Sequence, residues 1–94
     1  MNLARLKIVV YGNVQGVFFR QNTQEKALKL GLTGWVRNNS DGTVEIIAEG
    51  PKHKLEMLLN WCQAGSKEAW VESVSFEWIS YKKEFQDFKI KCRR

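Results

Sequence analysis

Arg20 stands just after a short loop, Gly12-Asn13-Val14-Gln15-Gly16, and just inside a segment of helical periodicity. Two glycines bounding a loop that feeds a helix let the backbone curl and turn several N–H groups toward one point. With the positive end of the helix dipole behind them, such groups form an anion cradle. The candidate donors are the amides of Asn13, Val14, Gln15, Gly16 and Val17, with Gly12 shaping the entry to the loop. A cation in the first helical turn opposes the dipole, which favours negative charge there. An anion held between Arg20 and the loop amides removes the conflict, and a guanidinium fork matches two phosphate oxygens at once. Taken alone, one arginine reads first as a surface residue with its stem over the sheet.

Asn38 is the second candidate. It closes a strand-like segment beside the turn Asn39-Ser40-Asp41-Gly42, where an asparagine commonly caps the turn. A neutral carboxamide there is also suited to aligning a water with a phosphorus, because a carboxylate would repel an incoming dianion.

The elements around these residues decide whether they can meet. Leu6 to Tyr11 is rich in β-branched residues and predicts a buried strand. Phe18 to Leu30 predicts a helix with Phe19, Thr23, Ala27 and Leu30 on one stripe and Gly31 as its stop. Leu32 to Asn38 and Thr43 to Glu49 predict two strands joined by a hairpin at Asp41-Gly42, ended by Gly50-Pro51. A second helix, about Lys52 to Gln63, carries Leu55, Leu58, Leu59 and Cys62 on one face. Trp70 to Ile79 predicts a strand with Trp70, Val74, Phe76 and Trp78 on one side and Glu72 breaking the pattern. Phe88, Ile90 and Cys92 alternate with lysines in a last, half-exposed strand.

The order β-α-β-β-α-β-β predicts an α+β fold, the ferredoxin-like split βαβ sandwich. It has a mostly antiparallel sheet, two helices on one face and an extra C-terminal strand. In that plan the first and second strands run parallel, one position apart. The loop after the first strand, the start of the first helix and the end of the second strand then share one edge of the sheet.

The bulk properties set looser bounds. Ninety-four residues suit one domain, 1–94, with a modest core. A net charge of +5 favours anionic partners, yet it is spread along the chain apart from the Lys91 to Arg94 tail. Cys62 and Cys92 have no metal-like or redox spacing and read as small core residues. His53 reads as a surface residue. Neither a signal-peptide pattern nor a membrane-spanning apolar run is present, so the expected compartment is the cytoplasm and no membrane partner is expected.

Gly12-Asn13-Val14-Gln15-Gly16-Val17-Phe18-Phe19-Arg20 resembles the G-x-V-Q-G-V-x-F-R signature of the acylphosphatase family. Gly34-Trp35-Val36-Arg37-Asn38, followed by Gly42, Val44 and Gly50, is similar to the family's second signature. The resemblance implies a ferredoxin-like fold and hydrolysis of the carboxyl–phosphate bond in compounds such as acetyl phosphate. It implies phosphate binding by Arg20, water positioning by Asn38, and no metal or organic cofactor. The expected partners are a small acyl phosphate and, as product-like ligands, inorganic phosphate or sulfate, bound to a monomer. Neither signature offers a His, Cys, Asp or Glu suited to act as nucleophile or general base, which implies direct attack by water.

Two other readings stand beside this one. The fold plan and positive charge also suit an RNA-binding module, with Tyr11, Trp35 and Trp78 as a stacking platform, although packing in the core or on the sheet accounts for them as well. A domain that binds an acyl phosphate without cleaving it is the other.

Overall fold

A computed structural model of the chain describes residues 2–92; Met1 and the Arg93-Arg94 end of the basic tail lie outside them. The elements are β1 (Leu3–Asn13), α1 (Phe19–Lys29), β2 (Thr33–Asn38), β3 (Val44–Pro51), α2 (Lys52–Ala64), β4 (Trp70–Ile79) and β5 (Phe88–Ile90). The strands form one sheet in the order β4-β1-β3-β2-β5. β3 pairs antiparallel with both β1 and β2, so those two run in the same direction on either side of it. β5 is the parallel addition at the β2 edge.

Strand alternation splits the sheet into two unlike faces. Leu6, Ile8 and Val10 lie in register with Ala48, Ile46 and Val44, and all are buried under the helices. The predicted stripe of α1 is the buried one: Phe19, Thr23, Ala27 and Leu30 all face inward. The Thr23 hydroxyl donates to the Phe19 carbonyl at 2.7 Å, which satisfies a polar group inside an apolar layer. From α2, Leu55, Leu58, Leu59 and Cys62 close the core, and Trp61 stacks on Phe19 with ring centroids 5.4 Å apart. Burial pushes the Cys62 thiol up to about 12, so it packs as an inert apolar group. Cys92 departs from expectation: β5 ends at Ile90 and this second thiol is exposed.

β4 holds a second departure. Val74, Phe76 and Trp78 pair with Val10, Ile8 and Leu6 and so share the helix-covered face. The register then shifts between Tyr11 and Gly12, and beyond the shift Val71 pairs with Gly12 and Trp70 with Asn13. The β-bulge reverses the alternation. Val71 packs against the core instead, and Trp70 is left exposed on the other side. Glu72, the residue that broke the sequence pattern, sits at this shift.

The open face is partly covered by the chain itself. β4 and β5 lie at opposite edges, so residues 80–87 must cross from one to the other. Glu49, only 2% exposed, holds this crossing segment in place. Its carboxylate accepts from the backbone N–H of Lys82 at 2.7 Å and of Glu84 at 3.0 Å, and from Arg5 Nη1 at 3.2 Å. Arg5 in turn reaches Glu84 at 2.6 Å and lies under the Phe85 ring. Burial is the largest single influence on the Glu49 carboxyl and raises its pKa, but these donors together outweigh it and hold it below its ordinary value of 4.5.

A carboxyl whose folded pKa is depressed contributes stability above its unfolded value and loses it as pH falls through the folded one. The thermal midpoint should therefore drop as pH is lowered below 4.5. Glu49→Ala, which leaves two backbone amides without their acceptor and Arg5 with Glu84 alone, should cost on the order of 3 kcal/mol at neutral pH. It should also flatten the acid limb, as read by thermal denaturation across pH.

Candidate functional site

The common direction of β1 and β2 carries the end of β1 and Asn38, the last residue of β2, to one end of the sheet. Residues 14–18 bridge β1 to α1 across that end. Val14 is buried in the core and Val17 packs against it, so two apolar side chains anchor the loop from below. Anchoring the side chains inward leaves the backbone to face outward. The amides of Val14, Gly16 and Val17 have no hydrogen-bond acceptor among the described residues.

The two glycines serve different ends. Gly16, at φ 75°, is in the left-handed region with open space where a Cβ would stand. That is the freedom a ligand-facing turn uses. Gly12 lies inside β1 at φ 134°, where a Cβ would collide with the Trp70 carbonyl oxygen and lie 2.7 Å from the Glu72 nitrogen. It is needed for the close approach of β1 to β4 at the bulge, not for the loop. Asn13 likewise belongs to β1, in register with Trp70, and not to the loop proper.

α1 starts without a side-chain cap and with no acidic residue in its first turn. Its N-terminal dipole is therefore uncompensated. Arg20, the second residue of this helix, is half-buried, and its side chain has no hydrogen bond or ion pair among the described residues. It lines a cleft of about 180 Å³ together with Val14, Gly16, Phe18, Phe19 and Gln21. Arg20 thus borders one cleft with Val14, Gly16 and Phe18 of the loop.

Asn38 faces the helix side of the sheet and is 9% exposed. Its carboxamide oxygen is buried with no hydrogen-bond partner among the described residues. Leaving such an acceptor unmatched costs roughly 1–3 kcal/mol. The bland turn-capping role is performed by its neighbour: Asn39 donates to the Thr43 hydroxyl at 3.0 Å and to Glu45 at 3.2 Å. Asp41 completes the five-residue turn 39–43 by accepting from Thr43, hydroxyl at 2.6 Å and amide at 3.0 Å. The turn is longer than the two-residue Asp-Gly hairpin the sequence suggested. The Thr43 hydroxyl first, and its amide second, hold the Asp41 carboxyl below the ordinary carboxylate range.

One contributor is absent from the sequence reading in this role. The Gln15 side chain donates through Nε2 to the carbonyls of Asn39 and Thr43, both at 2.8 Å. A single carboxamide thus ties the loop to both ends of the turn that follows Asn38. Its backbone position was noted from the motif, but a bond spanning 24 residues leaves no periodic signal.

Residues 6–90 match the acylphosphatase family model. This chain belongs to the acylphosphatase family. An acylphosphatase of Pelotomaculum thermopropionicum is 50% identical over 90 residues, covering 96% of this chain and 98% of the relative. The solved acylphosphatase of Coxiella burnetii superposes with a TM-score of 0.91 at 39% identity, covering 96% and 94% of the two chains. That of Bacillus subtilis gives 0.89 at 38%, covering 94% and 98%. The ferredoxin-like α+β architecture is common to this family and this chain.

The RNA-binding reading fares poorly against the geometry. Tyr11 and Trp35 are on the open face, but Trp78 is on the helix-covered face with the Lys52 ammonium 5.1 Å from its ring centroid. Arg37 and Lys91 already lie over Trp35, at 4.6 and 4.9 Å. A stacking platform needs free aromatic faces on one surface.

The two glycines give a paired test. Gly12→Ala should cost about 2–3 kcal/mol or more in urea denaturation, by forcing β1 from β4. Gly16→Ala should cost only about 1 kcal/mol, the left-handed penalty, while weakening inhibition by inorganic phosphate. Gln15→Ala should keep the fold yet lower kcat several-fold, because the loop and Asn38 lose their common tether.

Proposed function

We propose that this chain hydrolyses the carboxyl–phosphate bond of acyl phosphates such as acetyl phosphate, giving a carboxylate and inorganic phosphate. Family membership supports the reaction class. The observation that supports the residue assignment is the buried carboxamide oxygen of Asn38, without a partner among the described residues, at the sheet end that also carries the 14–18 loop and the start of α1. An acceptor kept without a protein donor suits a group whose partner is a bound water.

Phosphoryl transfer from a mixed anhydride passes through a loose transition state, so catalysis is mainly positioning and charge stabilisation. Arg20 and the amides of the loop hold the equatorial oxygens as charge redistributes among them. The Asn38 oxygen accepts a hydrogen bond from the water and aligns it opposite the leaving carboxylate. The water oxygen bonds to phosphorus as the bond to the acyl oxygen breaks, and the carboxylate departs with that electron pair. The water's proton passes to a phosphoryl oxygen of the substrate. Asp41 is an unsuitable base, because Thr43 already occupies its carboxylate and stabilises the ionised form. No phosphoenzyme forms, and no metal or organic cofactor is required.

The expected form is a single-domain monomer. Inorganic phosphate or sulfate would occupy the same cradle as product-like ligands. Free thiols at Cys62 and Cys92 fit a reducing compartment such as the cytoplasm.

The test is phosphate release from benzoyl phosphate in the presence of a metal chelator. Wild-type activity should persist, and Arg20→Ala should lower kcat/KM by roughly 10²–10³ while remaining folded. Asn38→Ala should lower kcat while inhibition by inorganic phosphate stays nearly unchanged. A phosphoprotein trapped during turnover would rule out direct attack. Tight phosphate binding without turnover by the wild type would point to a binding-only domain.

A further inference from the structure

The position between Val17 and Phe19 is a free choice in the signature this chain resembles, and here it holds Phe18. Its backbone sits at φ 63° and ψ 18°, in the left-handed region. A residue with a Cβ pays roughly 1–2 kcal/mol there, and glycine or asparagine would adopt the same backbone at lower cost. The ring does not recover this cost by packing. Phe18 is 66% exposed, while the adjacent Phe19 is buried against Trp61. Among the described residues the Phe18 ring has no aromatic or cationic partner.

Its location is specific. Phe18 lines the same cleft as Arg20, Gly16 and Val14. An anion gripped in that cleft by Arg20 and the loop amides would have Phe18 beside it, with an exposed ring within reach of its remaining substituent. Phosphate oxygens need the polar floor of that cleft, whereas the leaving group needs only a contact surface at its rim. An exposed aromatic ring supplies such a surface to an apolar or aromatic acyl group, and nothing comparable to a two-carbon acetyl group.

On this basis, and resting on the hydrolase reading above, we propose that Phe18 is a specificity-determining residue that favours acyl phosphates with aromatic or bulky apolar acyl groups. The ring contacts the acyl group in the bound substrate and does not take part in bond breaking. A strained backbone and an unpacked ring at the mouth of an arginine-lined cleft both follow from that role.

The experiment compares kcat/KM for benzoyl phosphate and acetyl phosphate in the wild type, Phe18→Asn and Phe18→Tyr. Asparagine accepts the left-handed backbone and removes the ring; tyrosine keeps the ring. Phe18→Asn should retain or raise the thermal midpoint and lower the benzoyl-to-acetyl ratio about tenfold, chiefly through KM for benzoyl phosphate. Phe18→Tyr should leave the ratio within about twofold of the wild type. An unchanged ratio in Phe18→Asn, or equal losses on both substrates, would overturn the proposal. Absence of phosphate release from either compound by the wild type would refute the hydrolase reading itself, a result different in kind from an unchanged ratio.

Discussion

The antiparallel pairing of β3 with both of its neighbours is the constraint on which the remaining architecture rests. Because β3 reverses twice, β1 and β2 must point the same way and terminate together. Ladder hydrogen bonds and the burial of Val44, Ile46 and Ala48 fix that register, since a one-residue slip would turn an apolar face to water. The loop of residues 14–18 and Asn38 are then neighbours as a matter of topology. Gln15 converts this neighbourhood into a fixed geometry by gripping two carbonyls of the adjoining turn.

The two ends of the sheet do different work. At one end several polar groups have no partner among the described residues: loop amides, a guanidinium and a carboxamide oxygen. At the other end Glu49 accepts from two amides and Arg5, although the Arg5 Nε has no partner among the described residues. Unmatched groups cost stability and matched ones restore it. A small domain carries little surplus, so such a division places the local cost of the site beside a well-tied opposite end.

Much of this was legible before any coordinates. Period-two and helical spacing located the seven elements within a few residues, and the two glycine-containing motifs singled out Arg20 and Asn38 as candidates. What escaped the sequence were features set by contacts between distant segments. Glu49 reads as an ordinary outward residue on an alternating strand, because its partners are backbone amides over 30 positions away in a stretch with no periodicity. Trp70 was assigned to the wrong face because alternation was carried across a bulge, although Glu72 had marked the place. Gly12 was attributed to the loop because its true reason, contact with the β4 backbone, depends on register. The left-handed Phe18 has no sequence signature, for that conformation is usually left to glycine or asparagine.

The segment crossing from β4 to β5 also affects how the molecule comes apart. A three-residue parallel strand at an edge would ordinarily be the first part to fray. Here β5 is held by more than its ladder with β2: Phe88 is buried, its carbonyl accepts from Gln24, and Gly34 donates to Asp87. The crossing segment is in turn held to the interior strands β3 and β1 by Glu49 and Arg5. Peeling β5 away means releasing the girdle as well, which links the fate of the shortest strand to that of the longest and favours one cooperative opening over gradual loss from the margin.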